Sequence, residues 1–420
     1  MVLTQSVQHQ EQLLQRYIAI RKQSLHICQP LETEDYCIQP DIDVSPPKWH
    51  LGHTTWFFEN FILIPQLKDY KPFDLRLNWF FNSYYESQGP RINRSNRGNM
   101  SRPTVQTIMD YRNHVDLAMQ QFMKGSPSLN ESLLLTFEVG LQHEQQHQEL
   151  LVTDIKYILG HNPLFPNYGT NLPETQPSAP AEWIDFQEGL YEIGYGEEGF
   201  CWDNELGKHQ VFLAPFSIQN RLVTNGEFLE FVEAGAYQSH QFWQMEGYEW
   251  VKQLEAPGPL YWIKHEGEWM EYTLHGLHPL QKDLPVTHIS YYEADAYARW
   301  KGLRLPTEFE WEVAAQKRAG LYPGKSGVFL EDPLYHPGPA QNDEQFLGHA
   351  WEWTSSAYLP YPGYPRFGGA LGEYNGKFMI NQMVLRGGSC ATPKDHVRAT
   401  YRNFFHPDKQ WQFTGIRLAK

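Results

Sequence analysis

Apolar residues recur at helical spacing through the first 160 residues of the chain. Between residues 10 and 23, Leu13, Leu14, Tyr17 and Ile20 fall close to a 3.6-residue period, which predicts an amphipathic α-helix. The same kind of pattern predicts three further helices, at residues 45–64, 105–123 and 132–159. Long amphipathic segments in succession are typical of an up-and-down helical bundle, in which each apolar face is buried against its neighbours.

Two of these predicted helices carry end signals. The second helix is expected to begin at Ser45-Pro46-Pro47, since serine can cap a helix and proline is tolerated in its first turn. We expect this helix to end at Pro65 and the fourth helix to stop at Gly160.

The pattern changes after the fourth helix. Residues 163–181 are rich in proline, glycine and asparagine, which indicates a linker. Beyond it, the predicted elements are β-like runs at 189–193 and 209–218 and short helices at 224–234 and 290–301. The sequence therefore predicts an α+β multidomain protein, with a helical domain over residues 1–162 and an α+β domain over residues 182–420.

Composition excludes several function classes. The 420-residue chain is 41% hydrophobic and 20% charged, which is a globular balance, and its net charge of −15 argues against nucleic-acid binding. No apolar run approaches the roughly 18 residues of a membrane span, and the N-terminal stretch lacks the apolar region of a secretory signal. Four cysteines do not make a disulfide framework in a chain this long. We expect a cytoplasmic protein without nucleic-acid or membrane partners, and the sequence carries no signal for an oligomeric state.

The run His-Glu-Gln-Gln-His is a candidate metal site, because His143 and His147 lie four residues apart on one helix face. The run also satisfies the HExxH pattern of zinc proteases, in which Glu144 would be the general base. However, Leu150 and Thr153 stand where one protease class has its glycine and third histidine. Another class of zinc protease takes its third ligand from an acidic residue on a following helix, and no such residue follows nearby in this sequence. The protease interpretation therefore lacks its third ligand.

A better third ligand lies upstream, in the run Trp-His-Leu-Gly-His over residues 49–53. His50 and His53 both belong to the predicted second helix, which could face the 143/147 pair across the bundle. Gly52 would permit a close approach of neighbouring helices. The residues alone do not choose between His50 and His53.

Several motifs occur together, in order, along nearly the whole chain. They are WHLGH at 49–53, HEQQH at 143–147, VTNGEF at 223–228, PVTHIS at 285–290, LRLPTEFEW at 303–311, GHAWEWT at 348–354 and LRGGS at 385–389. This combination resembles the sulfoxide synthases of ergothioneine biosynthesis. The resemblance implies a DinB-like four-helix bundle followed by a C-type-lectin-like α+β domain similar to the formylglycine-generating enzyme.

The resemblance also implies a metal and a reaction. Iron(II) would be bound by His53, His143 and His147, with His50 as a neighbour, although three histidines alone would suit zinc equally. The reaction would be O2-dependent joining of a thiol sulfur to hercynine (Nα-trimethylhistidine), with the product released as a sulfoxide.

Substrate-binding residues follow from the same resemblance. Gln146, Asn403 and Phe404 are assigned to the hercynine site. Arg94 and Arg97 are assigned to the carboxylate of the thiol, which suits the bidentate geometry of guanidinium groups.

One position departs from the branch of the family that uses γ-glutamylcysteine. That branch has an aspartate and an arginine where this chain has Phe405 and Lys409, and a phenylalanine cannot hold an α-amino group by charge. We therefore expect L-cysteine as the thiol and hercynylcysteine sulfoxide as the product, with Phe405 in the thiol site. Tyr84 and Tyr85 resemble tyrosines of the cysteine-using branch, and one of them would donate a proton or hydrogen bond during catalysis.

Two kinds of alternative stay open. The same reaction class could use γ-glutamylcysteine, a selenosugar or an ovothiol-type pairing of histidine and cysteine. In a different class, the HExxH run could belong to a zinc-dependent hydrolase or to a zinc-binding scaffold.

Overall fold

The structure, a computed structural model, divides into two compact units, Met1–Pro163 and Leu164–Lys420. It describes residues 2–83, 85, 89–125, 129–169, 175–319, 327–341, 344–365 and 374–420. Within these ranges, no helix combines the length and the apolar character that crossing a membrane would require.

The first unit is helical, as the periodicity predicts. Its helices are α1 (Val2–Cys28), α2 (Pro47–Phe58), α3 (Ile64–Gln66), α4 (Arg76–Phe81), α5 (Val105–Gly125) and α6 (Glu131–Gly160), with a π-helical segment at Glu59–Leu63 and 3-10 turns at Asp35–Cys37 and Arg94–Asn96. Helix α2 packs against both α5 and α6, and α1 packs against α6. The predicted bundle is therefore confirmed, and α2 lies at its centre.

Both predicted ends of α2 need correction. Ser45 does not cap the helix: the cap position is Pro46, which makes no side-chain hydrogen bond, and Ser45 Oγ instead accepts a hydrogen bond from Arg97. The helical path also does not end at Pro65, because the π-helical segment leads into α3, where the proline occupies the first turn.

The second unit is an α+β domain, as predicted. Its strands are β1 (Trp183–Phe186), β2 (Gly189–Ile193), β3 (His209–Leu213), β4 (Phe216–Gln219), β5 (Trp262–His265), β6 (Glu268–Thr273), β7 (Gly276–Pro279), β8 (Trp351–Ala357), β9 (Met383–Arg386), β10 (Asn403–Phe405) and β11 (Thr414–Gly415). Its helices are α7 (Asn225–Glu233), α8 (Met245–Val251), α9 (Tyr291–Trp300) and α10 (Glu308–Ala319), with 3-10 turns at Asp203–Glu205, Ala236–Gln238, His240–Phe242 and Gly376–Phe378.

The strands form small sheets. β1 pairs with β4, β2 pairs with β3, and β5, β6 and β7 follow one another in a meander. The largest described sheet has the order β10-β9-β8-β11, antiparallel except for the parallel pair of β8 and β11. This sheet holds residues of two motif segments noted in the sequence, GHAWEWT in β8 and LRGGS in β9, and its strand β10 begins with the candidate substrate residue Asn403.

The predicted run at 209–218 is wrong as a single strand. It divides into β3 and β4, which belong to different sheets, at Ala214-Pro215. Proline cannot donate to a strand ladder, so it marks the change of partner.

Helix α10 was not predicted, although its start carries a sequence signal. The amide of Glu310 donates to Thr307 Oγ1 at 3.1 Å, and the amide of Thr307 donates to the Glu310 carboxylate at 2.7 Å. These reciprocal bonds are a capping box of the form Thr-x-x-Glu. The helix brings Glu308 into the core of the unit.

Buried ion pairs fix the strand that carries the candidate substrate residues. Arg402, directly before β10, donates from Nε to one oxygen of Glu308 at 2.8 Å and from Nη2 to the other at 3.0 Å. Arg386, at the end of β9, donates to the same carboxylate at 3.0 Å. Because all three side chains are buried, removal of Glu308 would take from Arg402 the carboxylate that compensates its buried charge. This network holds β10 to α10.

Gly52 is the closest approach between α2 and α4. A methyl group at this position would lie 2.2 Å from the ring of Phe81, which is fully buried. We predict that Gly52→Ala lowers the free energy of unfolding by about 1–3 kcal/mol, the usual cost of overpacking a core. Urea or thermal unfolding followed by circular dichroism measures the change.

The matched control for this prediction is Gly125→Ala. Gly125 ends α5, and a methyl group added there meets no atom within 4 Å. The control is expected to leave stability unchanged or to raise it slightly, since alanine favours helix over glycine. Equal midpoints for both variants would contradict the close packing of α2 on α4.

Candidate metal centre

Three histidines from two helices converge in the first unit. His53 comes from α2, and His143 and His147 come from α6, where their four-residue spacing places both on one face. One nitrogen of each lies within 4.8 Å of the others, and the Nε2 atoms of His53 and His143 are 3.1 Å apart. All three side chains are buried.

Burial keeps these imidazoles neutral. It lowers the pKa of His143 to about 3 and holds the pKa values of His53 and His147 well below the ordinary value. Repulsion among the rings adds to this effect for His53 and His147, because each would be charged beside the other members of the cluster. Neutral imidazole is the form that binds a metal, so the cluster presents lone pairs at physiological pH.

His53 is held between two indole rings. The ring of Trp49 stacks on it at 4.6 Å with an interplanar angle of 12°, and the ring of Trp56 stacks at 5.6 Å and 15°. Its Nδ1 lies 2.6 Å from the carbonyl oxygen of Phe81, which can only accept, so Nδ1 carries the hydrogen. The lone pair of His53 is therefore on Nε2, the atom that faces His143.

His50 is not a member of the cluster. Its Nδ1 lies 2.8 Å from Nδ1 of His147, and its Nε2 lies 2.9 Å from Oδ2 of Asp154. The sequence left the choice between His50 and His53 open. The structure groups His53 with His143 and His147, whereas His50 contacts the Nδ1 side of His147.

The two candidate carboxylate-binding arginines occupy different environments. Arg97 is buried, with its guanidinium carbon 3.4 Å from the centroid of the Trp49 ring, and it donates to Ser45 Oγ at 2.9 Å and Ser83 Oγ at 3.0 Å. Arg94 is exposed and contacts the backbone carbonyl and the carboxylate of Asp43. Only Arg97 is joined to the histidine cluster, through Trp49.

The remaining sequence-predicted residues of this unit lie close by or outside the described ranges. Tyr85 is fully buried, and its ring packs on Trp56 at 5.6 Å and on Phe61 at 5.1 Å. Tyr84 lies outside the described residues. Gln146 is half-buried on α6 and lies in the sequence between the buried candidate ligands His143 and His147.

Glu144, the candidate base of a protease, is bound by two cations. Arg21 donates to its carboxylate at 3.0 Å, Arg112 donates to the other oxygen, and Ser24 donates at 2.6 Å. Burial opposes ionisation of Glu144, but the charges of Arg112 and Arg21 prevail and lower its pKa to about 2. A carboxylate that is ionised and fully engaged in this way is a poor general base, which disfavours the protease interpretation.

Several residues around the cluster were not predicted. Trp49 and Trp56 stand four residues before and three after His53, a spacing that places them on its helix face, so helical periodicity could have found them. Asp154 lies seven residues after His147 on the same face of α6. The role of the Phe81 carbonyl had no sequence signal, because any residue type can offer a backbone oxygen.

Two of the candidate hercynine residues, Asn403 and Phe404, lie in β10 of the second unit, beside the candidate thiol residue Phe405. The ring of Phe404 stacks on that of Tyr358 at 4.1 Å and 11°, and Phe405 meets Trp411 edge to face at 5.0 Å. Asn403, Phe404 and Phe405 are each half-buried. Strand β10 therefore presents an aromatic surface that is partly accessible.

The histidine cluster fits a catalytic metal. It offers three neutral nitrogen donors, and the tautomer of His53 is set by its hydrogen bond to a backbone carbonyl. Three protein ligands leave coordination positions for other molecules. The donor set suits iron(II) or zinc, since imidazole binds both.

Comparison with known protein families assigns each unit. Residues 16–151 match the DinB superfamily. Residues 169–334 and 342–420, more than half of the chain, match the sulfatase-modifying factor enzyme 1-like domain.

Individual relatives match over most of the chain. The hercynine oxygenase of Mycolicibacterium thermoresistibile is 32% identical over 319 residues, which covers 68% of this chain and 69% of that protein. The hercynine oxygenase of Mycolicibacterium smegmatis is 31% identical over 310 residues, covering 67% of this chain and 71% of that protein. The ergothioneine biosynthesis protein 1 of Schizosaccharomyces pombe is 28% identical over 273 residues, covering 61% of this chain and 31% of that protein.

Proposed function

The chain belongs to the hercynine oxygenase family, and on that premise we propose that it joins cysteine sulfur to hercynine with iron(II) and O2. The products are hercynylcysteine sulfoxide and one molecule of water. The C2–H bond of the imidazole and the S–H bond of cysteine are replaced by a C–S bond, and the sulfur gains one oxygen atom. The four electrons released reduce one O2, of which one atom enters the sulfoxide and the other leaves as water.

The observation that carries this proposal is the convergence of His53, His143 and His147 as neutral donors in a buried position. These residues would hold iron(II). Bound iron(II) would supply the redox-active centre at which O2 and the thiol react. The chain's own contribution is to orient the three rings, exclude water and keep the donors unprotonated.

Hercynine carries a permanent trimethylammonium cation, a carboxylate and an imidazole. Aromatic rings attract such a cation, and the half-buried ring of Phe404, backed by Tyr358, is the candidate contact. We assign Phe404 and Asn403 to hercynine, together with Gln146, whose amide can hydrogen-bond an imidazole nitrogen.

The thiol substrate needs a cationic partner for its carboxylate. Arg97 supplies a fixed guanidinium beside Trp49, and Arg94 begins the 3-10 turn that ends directly before Arg97. We assign both to the thiol. Phe405 packs on Trp411 and offers no charge to an α-amino group, which supports free cysteine over the larger γ-glutamylcysteine.

A tyrosine from the segment that follows α4 would donate a proton or hydrogen bond during oxygen reduction. Tyr85 supports this assignment because it is buried in contact with Trp56, which lies against His53. Tyr84 is the other candidate.

Anaerobic reconstitution with iron(II), followed by hercynine, cysteine and O2, is predicted to give hercynylcysteine sulfoxide detectable by mass spectrometry. His143→Gln is expected to abolish product, because it removes one of three ligands. His26→Gln, at an exposed histidine of α1, is the matched control and should retain activity. Product formation with zinc in place of iron, or none with iron, would overturn the proposal.

Cysteine is predicted to exceed γ-glutamylcysteine in kcat/KM by at least tenfold, since a hydrogen bond to a charged group contributes about 1.5–3 kcal/mol. Steady-state assays with each thiol, and with a selenosugar as a third arm, measure the preference. A higher kcat/KM for the dipeptide would refute the argument from Phe405.

Tyr85→Phe is predicted to divert turnover from sulfoxide to oxidised cysteine, because the hydroxyl is lost while the buried ring stays. The ratio of sulfoxide to cysteine oxidation product measures the effect. Tyr36→Phe, which removes a buried hydroxyl bonded to the Cys28 carbonyl in the same unit, is the control. An unchanged ratio in Tyr85→Phe would remove the role from Tyr85 and leave Tyr84.

A further inference from the structure

Asp154 is a buried carboxylate two helical turns beyond the last candidate ligand on α6. Its Oδ2 accepts a hydrogen bond from the backbone amide of Ser45 at 2.8 Å and lies 2.9 Å from Nε2 of His50. The carboxylate thus receives hydrogen bonds from the start of α2 at two points. It has no part in the mechanism proposed above.

The hydrogen positions along this contact chain follow from the chemistry of each group. A carboxylate can only accept, so Nε2 of His50 carries the hydrogen that points to Asp154. In a neutral His50, Nδ1 then bears a lone pair and accepts. The hydrogen between the two Nδ1 atoms, which are 2.8 Å apart, therefore belongs to His147. With Nδ1 protonated, His147 has its lone pair on Nε2.

We propose that Asp154 and His50 are positioning residues that fix the tautomer and ring orientation of His147 for metal binding. This inference rests on the metal centre of the proposed function and extends it by two residues. The order of contacts is Asp154, His50, His147 and then the metal.

The arrangement has an electrostatic consequence. Three neutral imidazoles leave the charge of a divalent cation uncompensated in a buried site, and the guanidinium of Arg97 lies nearby over Trp49. Asp154 supplies one negative charge, transmitted through two hydrogen bonds, and such a partner makes the ligating imidazole a stronger donor. Ser45 contacts both the negative and the positive group, because its amide donates to Asp154 while its hydroxyl accepts from Arg97.

A purely structural role is the competing explanation. The contacts of Asp154 tie α6 to the start of α2, and they could serve packing alone. The two roles differ in what they change: packing alters the stability of the unit, whereas positioning alters the metal affinity and the tautomer of His147.

Three variants separate these roles. Asp154→Ala removes the acceptor, and Asp154→Asn keeps an oxygen that can accept both hydrogen bonds but removes the charge. Thr153→Val is the matched control, since this neighbouring buried hydroxyl bonds to the carbonyl of Glu149 in its own helix.

Iron(II) affinity is measured anaerobically by competition with a chelator, and nitrogen-15 NMR of the metal-free protein with labelled histidine reports the tautomer of His147. Asp154→Ala is expected to lose about 10–100-fold in affinity, the range for partners of metal ligands, and to lose the single Nδ1–H tautomer. Asp154→Asn should keep the tautomer and lose less affinity. Thr153→Val should match the wild-type protein in both.

Wild-type iron(II) affinity and an unchanged His147 tautomer in Asp154→Ala would overturn the positioning role of Asp154 and His50, while the three-histidine site would stand. A wild-type protein that binds iron(II) but forms no sulfoxide would overturn the proposed reaction. The affinity and tautomer results would still decide whether Asp154 and His50 position His147. The two failures are therefore distinguishable.

Discussion

The candidate metal centre depends on three imidazoles that must stay uncharged because they are buried away from water. His53, His143 and His147 are buried between α2 and α6, and burial lowers the pKa of each. A protonated ring in this position would lose its hydration and face two others. The same desolvation that disfavours the proton leaves the lone pairs ready for a metal, so the cost of burying polar groups is offset when a cation binds.

Two of these rings have a hydrogen-bond partner that selects the nitrogen left for a metal. For His53 the partner is the carbonyl of Phe81, which reaches it because Gly52 lets α4 approach α2. For His147 the partner is His50, backed by Asp154. The candidate site therefore includes more residues than its three candidate ligands. The carbonyl of Phe81 in the short helix α4, His50 and Asp154 all support the ligands without binding the metal themselves.

In the second unit, buried ion pairs hold the candidate substrate-binding residues in place. Arg402 and Arg386 share the carboxylate of Glu308 in the core, and Arg402 directly precedes Asn403. A three-residue strand such as β10 has few ladder hydrogen bonds of its own. The buried pairs fix its position, so that the half-buried rings of Phe404 and Phe405 are presented from a rigid base.

The sequence by itself determined the helical periodicity of the first unit and the pairing of His143 with His147 on one helix face. These features depend on residues within about four positions of each other, where helix geometry alone sets the neighbours. Motif order also determined the family, because several short segments recur at the right places along the chain.

Only the tertiary structure decided which upstream histidine joins the pair. His50 and His53 lie on the same side of α2 and differ by a rise of about 4.5 Å along the helix axis, and only the packing of α2 against α6 selects one of these levels. Packing likewise separated buried Arg97 from exposed Arg94, and it brought Asp154 to His50 across 104 residues of sequence. Local pattern fixes the direction in which a side chain points, whereas the depth at which it meets another helix depends on every residue packed between them.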